Sequence, residues 1–112
     1  MKFKTKDVKE VTVIELNGNV MGGPDATELN EELHKLVEAG KTRVVVDLGD
    51  VKFMNSSGLG MLIRALSTMR NAGGDMKLAR ASEKIESLLM VTKLITVFDH
   101  HDSVAKAIDA FK

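Results

Sequence analysis

The first twenty residues contain two short segments that predict extended strands. Residues 3–8 form the first, and residues 11–16 form the second, which alternates weakly and is rich in β-branched side chains. Only two residues separate the segments, which favours an antiparallel pair. Asn17-Gly18 is typical of a turn or a bulge, because both residues tolerate a positive φ. Residues 19–21 are expected to extend the second strand.

Four later stretches place apolar residues at helical spacing. The first helix is predicted to start at Pro24, where the missing N–H costs nothing, and to end at Gly40. The second ends at residues 71–74, and the last has Asp102 or Ser103 as its N-cap. The apolar stripes are Ala26, Leu29, Leu33, Leu36 and Val37; Leu59, Leu62, Ile63, Leu66 and Met69; Ile85, Leu88 and Leu89; and Val104, Ala105, Ile108 and Phe111.

Further strands are predicted between these helices. The continuous apolar run within residues 43–48 indicates a central strand covered on both faces, followed by a turn at Gly49 and Asp50. Residues 76–79 predict another strand, and residues 95–98 a short one. The order β, β, α, β, α, β, α, short β, α predicts an α/β fold. We expect a single domain over residues 1–112, with a mixed, mostly parallel sheet of four to five strands and about four helices.

Composition removes several classes of function. Sixteen basic and sixteen acidic side chains cancel, so the basic excess of a nucleic-acid binder and steering toward anionic membranes are both missing. Cysteine is absent, which excludes disulfides, thiolate metal sites and a cysteine nucleophile. No apolar run approaches the length of a bilayer span, and the basic N-terminus lacks the apolar stretch of a secretion signal. We therefore expect a cytoplasmic protein with no nucleic-acid or membrane partner.

The segment Asn55-Ser56-Ser57-Gly58-Leu59-Gly60 is the strongest candidate site, because it follows the central strand and opens a helix. Asn and Ser side chains cap free N–H groups of a first helical turn. Each glycine there costs about 1 kcal/mol of helix propensity, which is tolerated when something must approach the backbone closely. A phosphate on Ser56 would add roughly −1.5 to −2 charges where a helix N-terminus favours an anion. The alternative is that the segment is only a cap.

Catalytic and metal-binding patterns are missing. A dinucleotide fingerprint would need glycine where Ile63 stands, and neither Ser56 nor Ser57 has the flanking glycines of a hydrolase nucleophile elbow. No Gly-Lys-Ser or Gly-Lys-Thr of a P-loop occurs. His34 is expected on a polar helix face, and His100 and His101 in a loop before the last helix, all solvated. The sequence therefore predicts no enzyme, no metal site and no cofactor.

The same segment, taken with its context, resembles the STAS domain family, and specifically the bacterial anti-sigma factor antagonists. In that family a strand of the Val-Val-Asp-Leu type precedes a short motif. The motif begins with an apolar residue, Met, Asp and Ser. One of Ser, Thr or Ala follows, and the motif ends with Gly, Leu and Gly. Residues 44–48 and 53–60 supply this pattern here. The resemblance also covers residues 16–18, 73–74, 85–89 and 92–94, so that it runs nearly end to end.

What the resemblance implies is a partner switch. The unphosphorylated antagonist binds an anti-sigma factor that is also an ATP-dependent serine kinase, and this frees the sigma factor for transcription. The kinase then phosphorylates Ser56, with Ser57 as the second candidate, the antagonist dissociates, and a PP2C-type phosphatase reverses the step. The chain would act as a monomer and need no nucleotide of its own. The implied partner surface comprises Gly22, Gly23, Pro24, Asn55, Ser56, Ser57, Gly58, Leu59, Gly60 and Met61.

Two positions depart from the family pattern. Asn55 stands where the family has Asp, which keeps the capping geometry and loses the charge. The loop at residues 19–24 has no acidic residue before Asp25, where the family often carries one. The alternative hypothesis is therefore a constitutive STAS docking module without a phosphorylation switch.

Overall fold

Residues 1–111, which the computed structural model describes, form five strands and four helices. Most of their starts agree with the predicted positions, including Pro24 at the start of the first helix and Ser103 as the N-cap of the last. The elements are β1 Lys2–Val8, β2 Val11–Val20, α1 Pro24–Glu38, β3 Arg43–Met54, α2 Ser56–Asn71, β4 Asp75–Ala79, α3 Glu83–Val91, β5 Asp99–His101 and α4 Val104–Asp109.

The sheet has the strand order β1-β2-β3-β4-β5, with β1 antiparallel to β2 and the other neighbours parallel. The predicted mixed, mostly parallel sheet is confirmed. Lys9 and Glu10 join β1 to β2 with φ values of 50° and 69°, so the hairpin uses a two-residue turn with positive φ at both positions. Gly18 has φ 92° within β2, and the pairing with β3 shifts beside it, which confirms the predicted irregularity.

Helices cover the two faces of the sheet unequally. Apolar residues of α1, α2 and α3 pack against one face in the larger core cluster. Among the helices of residues 1–111, α4 alone packs against the other, through Ala107 and Ile108. In β3, Val44 and Val46 belong to the larger cluster and Val45 to the smaller, and all three are inaccessible to solvent. This confirms the prediction that the continuous apolar run is a strand covered on both faces.

The predicted turn at Gly49 and Asp50 is wrong, because β3 continues through both residues to Met54. The pairing with β2 shifts there instead: Glu15 lies opposite Asp47, and the next pair is Asn17 with Asp50. The sequence signal of the turn was therefore a bulge inside a longer strand. As a result β3 extends to the N-terminus of α2.

The short strand predicted at residues 95–98 is also wrong. Those residues form turns, in which Val97 and Phe98 donate backbone hydrogen bonds to the Leu94 carbonyl. Phe98 is buried in the larger core cluster. The strand is β5, so His100 and His101 lie in the sheet and not in a loop. β5 is defined by its pairing with β4. Its three residues are largely polar, so the sequence contains no apolar pattern that predicts it.

A bidentate ion pair joins Asp47, within β3, to Arg80, the residue that follows β4. The Arg80 Nε donates to Asp47 Oδ1 at 2.8 Å and its Nη2 to Oδ2 at 2.9 Å, and the Gly49 N–H donates to the same carboxylate at 3.0 Å. The Asp47 side chain is only 5% exposed, and it raises the pKa of Arg80. A Cβ on Gly49 would overlap the guanidinium, so a larger residue there would displace Arg80 from Asp47. The pair thus stabilises the irregular part of β3.

We expect Arg80→Ala to lower the free energy of unfolding by about 2 kcal/mol, because it leaves a buried carboxylate without its cation. The matched control is Arg70→Ala, whose partner Asp75 is 34% exposed and which should cost less than about 1 kcal/mol. Urea unfolding followed by circular dichroism measures both. Equal losses in the two variants would contradict this account.

Candidate functional site

The candidate segment forms the start of α2. Asn55 has an extended backbone (φ −102°), and its side-chain oxygen accepts a hydrogen bond from the Gly58 N–H at 2.8 Å. Its own N–H donates to the Val20 carbonyl at 3.3 Å. Asn55 therefore caps the helix and holds its first turn against the end of β2.

Ser56 and Ser57 occupy the first turn after this cap, and both are exposed. Within residues 1–111, neither hydroxyl makes a hydrogen bond to another side chain or to the backbone. Ser57 faces the loop before α1, since a Cβ built on Gly22 would lie 3.0 Å from the Cβ of Ser57. Another macromolecule can thus reach either hydroxyl.

The two glycines of this turn are in opposite environments. Gly58 is buried, and a Cβ there would overlap the carbonyl of Val20. Gly60 is exposed, and a Cβ there would meet nothing within 4 Å. Close packing on Val20 explains why residue 58 is glycine. No contact among the described residues requires glycine at residue 60. Its cost of about 1 kcal/mol in helix propensity is consistent with close approach by another molecule.

An open groove of about 540 Å³ separates the first turns of α1 and α2. It brings together five of the predicted residues. Pro24 and Ser56 lie outside it, and Leu59 is buried in the core. The lining residues are Gly22, Gly23, Ala26, Thr27, Asn30, Ser57, Gly60, Met61 and Arg64.

Arg64 is the charged residue of this groove, and it is not among the predicted site residues. Among residues 1–111, no carboxylate lies within ion-pair distance of it. The spacing of seven residues puts Arg64 on the same face of α2 as Ser57, which is a signal that the sequence did contain. An exposed, unpaired guanidinium next to the start of a helix makes this face favourable to anionic groups.

The three histidines lie on α1 and β5. His34 is exposed on α1, as expected. His101 is partly buried, with its Nε2 3.1 Å from Asp99, and Lys77 is the main cause of the lowered pKa of that carboxyl. Over the described residues, no three histidine or carboxylate side chains converge as a metal site would require. None of the helices in that part of the chain has both the length and the apolarity to cross a bilayer.

Comparison with known proteins identifies the family. The STAS domain model matches residues 2–107. The chain belongs to the STAS domain family. The anti-sigma-B factor antagonist of Bacillus subtilis strain 168 is 33% identical over 84 residues, which are 72% of this chain and 76% of that protein.

Solved structures show the same fold. An anti-sigma factor antagonist from Mycobacterium paratuberculosis has a TM-score of 0.82 at 20% identity, covering 98% of this STAS chain and 92% of its own. The Bacillus cell fate determinant SpoIIAA in its phosphorylated form has a TM-score of 0.74 at 18% identity. The match covers 99% of this chain and 100% of the SpoIIAA chain. The predicted family and fold are both confirmed.

The environments of the two glycines lead to a matched pair of variants. Gly58→Ala should destabilise the protein by about 2 kcal/mol or more, because the methyl group forces α2 away from Val20. Gly60→Ala should stabilise it by up to about 1 kcal/mol, since alanine is the better helix former and meets no neighbour. Thermal unfolding measures both changes. A stabilised Gly58→Ala variant would contradict the close packing of α2 on β2.

Proposed function

We propose that this STAS protein is an anti-sigma factor antagonist released from its partner by phosphorylation of Ser56. The partner is an anti-sigma factor that is also a serine kinase, and its capture frees a sigma factor for transcription. The observation that carries the proposal is the Ser56 hydroxyl, which is exposed at the first position of α2 and makes no hydrogen bond within residues 1–111. The relative from Bacillus subtilis, named an anti-sigma-B factor antagonist, supports it.

The partner surface has a physical basis in the same turn. Gly60 lets a partner approach the backbone of α2, and the adjoining groove offers Gly22, Gly23 and Arg64. Pro24 and Ser56 flank this groove, while the buried Gly58 and Leu59 hold the turn in place. The proposed interface is therefore the groove between α1 and α2 together with the first turn of α2.

The switch needs one covalent step. The Ser56 Oγ attacks the γ-phosphorus of ATP bound to the kinase, its proton passes to a base of the kinase, and ADP leaves. The nucleotide and the catalytic groups belong to the kinase, so the chain acts as a substrate and takes no cofactor. A phosphate at this helix N-terminus suits the helix dipole and leaves the fold intact. A PP2C-type phosphatase returns the hydroxyl by hydrolysis.

Release follows from the charge and size of the phosphate. In the complex Ser56 would face a desolvated surface fitted to a neutral hydroxyl. Placing about two negative charges there without matching cations costs several kcal/mol. A loss of about 3 kcal/mol weakens binding more than a hundredfold. The unphosphorylated protein, acting as a monomer in the cytoplasm, is then the binding form.

Serine-to-alanine variants test the acceptor. Each kinase-type anti-sigma factor of the source organism is purified and incubated with the protein and Mg-ATP, and phosphate incorporation is measured by intact mass. Wild type and Ser57→Ala should gain one phosphoryl group, and Ser56→Ala should gain none. All three should still bind the anti-sigma factor in the absence of ATP, so that missing label on Ser56→Ala reports the lost acceptor and not a lost complex. Equal labelling of wild type and Ser56→Ala would show that the acceptor is another residue.

A constitutive docking module remains the second candidate, and Asn55 is the observation that favours it. The neutral amide caps α2 where the family pattern has a carboxylate. Without that charge beside the acceptor, phosphoryl transfer could be lost while binding persists. In that case ATP would not dissociate the complex.

Asn55→Asp separates the two candidates, because Asp caps a helix as well as Asn and leaves the fold unchanged. If Ser56 is the switch, wild type is labelled, and Asn55→Asp should be labelled at the same rate or up to about tenfold faster. If the protein is a docking module, wild type remains unlabelled and only Asn55→Asp gains phosphate. Time courses of labelling with the same kinase distinguish these outcomes.

A further inference from the structure

A second groove lies between the end of β3 and the exposed side of α3, apart from the groove that contains Ser57. Its volume is about 260 Å³. The buried Met54 and Ile85 form its floor, and the exposed Phe53 and Val91 border it. Its full lining is Lys52, Phe53, Met54, Lys84, Ile85, Ser87, Leu88 and Val91, and we call it the α3 groove.

Large apolar side chains at the border of the α3 groove are exposed to solvent. Val91 is 81% exposed and Phe53 is 49% exposed, whereas Phe98 is buried in the core. Phe53 and Val91 line the same groove, and apolar side chains grouped on a surface mark contacts with other proteins. The volume is below the roughly 300–1,000 Å³ of small-molecule pockets, and suits the insertion of one or two side chains.

The charges around the α3 groove have one sign. Lys52 and Lys84 are its charged lining residues, and no carboxylate lines it. Within residues 1–111 neither lysine forms an ion pair. The acidic residues of α3, Glu83 and Glu86, are not part of the lining. An apolar cleft with two free ammonium groups is complementary to an apolar segment flanked by carboxylates.

The α3 groove adjoins the proposed switch along β3. Phe53 is three residues before Ser56, and three residues span at most about 11 Å. A standard protein interface covers about 800 Å² on each partner, which is enough to include both features. One partner can therefore contact the α3 groove and reach the Ser56 hydroxyl at the same time.

We propose that the α3 groove binds an acidic segment of the anti-sigma factor, in which one or two apolar side chains insert between Phe53 and Val91 and flanking carboxylates pair with Lys52 and Lys84. This rests on the proposed function and adds to it a docking contact outside the phosphorylated turn. The segment is an amphipathic helix or a short extended stretch, both of which bind through apolar anchors of this kind.

Two neighbouring residues of α3 give a matched test. Val91 borders the α3 groove, and Met90, which is 64% exposed, does not. Val91→Ser should weaken binding of the purified anti-sigma factor about tenfold or more, and Met90→Ser should change it less than about twofold. Both residues are exposed, so melting temperatures should stay close to wild type. Isothermal titration without ATP measures the affinities.

A second pair of variants tests the charges. Lys52→Gln with Lys84→Gln should weaken binding several-fold at low salt and flatten its dependence on salt. Lys2→Gln with Lys4→Gln removes the same net charge from β1, where both lysines are exposed and unpaired within the described residues, and should leave the affinity unchanged. Equal effects of the two double variants would overturn the assignment of the carboxylates to the α3 groove.

The outcomes separate this proposal from the proposed function. If wild type binds and is phosphorylated but Val91→Ser and Met90→Ser bind equally well, the α3 groove is not a docking site and the switch stands. If wild type binds no anti-sigma factor, the proposed function fails and the docking contact with it. A second copy of the chain is the other possible occupant of the groove, and sedimentation tests for it. If wild type forms a dimer that Val91→Ser dissociates, the groove binds a second copy and the proposal is overturned.

Discussion

The contact between Gly58 and the carbonyl of Val20 determines the geometry of the whole candidate site. A side chain at residue 58 would overlap that carbonyl, and the Asn55 N–H donates to the same oxygen. The start of α2 is therefore held directly on the end of β2, and Ser57 meets the loop that follows β2. Without this close approach the groove between α1 and α2 would have a different shape, and the two serines would project elsewhere.

Much of this geometry is predictable because it is local. The Lys9-Glu10 hairpin, the start of α1 at Pro24 and the cap at Asn55 each depend on a few adjacent residues, and all agree with the structure. The site segment was recognisable for the same reason, since its serines and glycines stand together in the sequence. The roles of the two glycines were not, because only packing distinguishes Gly58 on Val20 from the open Gly60.

The wrong predictions concern interactions between distant residues. The continuation of β3 through Gly49 depends on its pairing with β2 and on the ion pair between Asp47 and Arg80, which are 33 residues apart in the sequence. β5 depends on its register with β4 and has no apolar pattern of its own. Arg64 lies outside the candidate segment, and its seven-residue spacing from Ser57 gains a meaning only from the groove with α1. In each case the deciding partner belongs to a different element.

The α3 groove and Ser56 would contribute differently to a partner complex. A phosphate at the start of α2 acts through the charge it places in the interface, because a helix N-terminus accommodates it without refolding. Contacts at Phe53 and Val91 would then be the same in both states and would raise the affinity of both by the same factor. The α3 groove would set how tightly the protein binds, and Ser56 would set the ratio between the two states. A switch built in this way needs a docking contact weak enough that the phosphorylated form still dissociates.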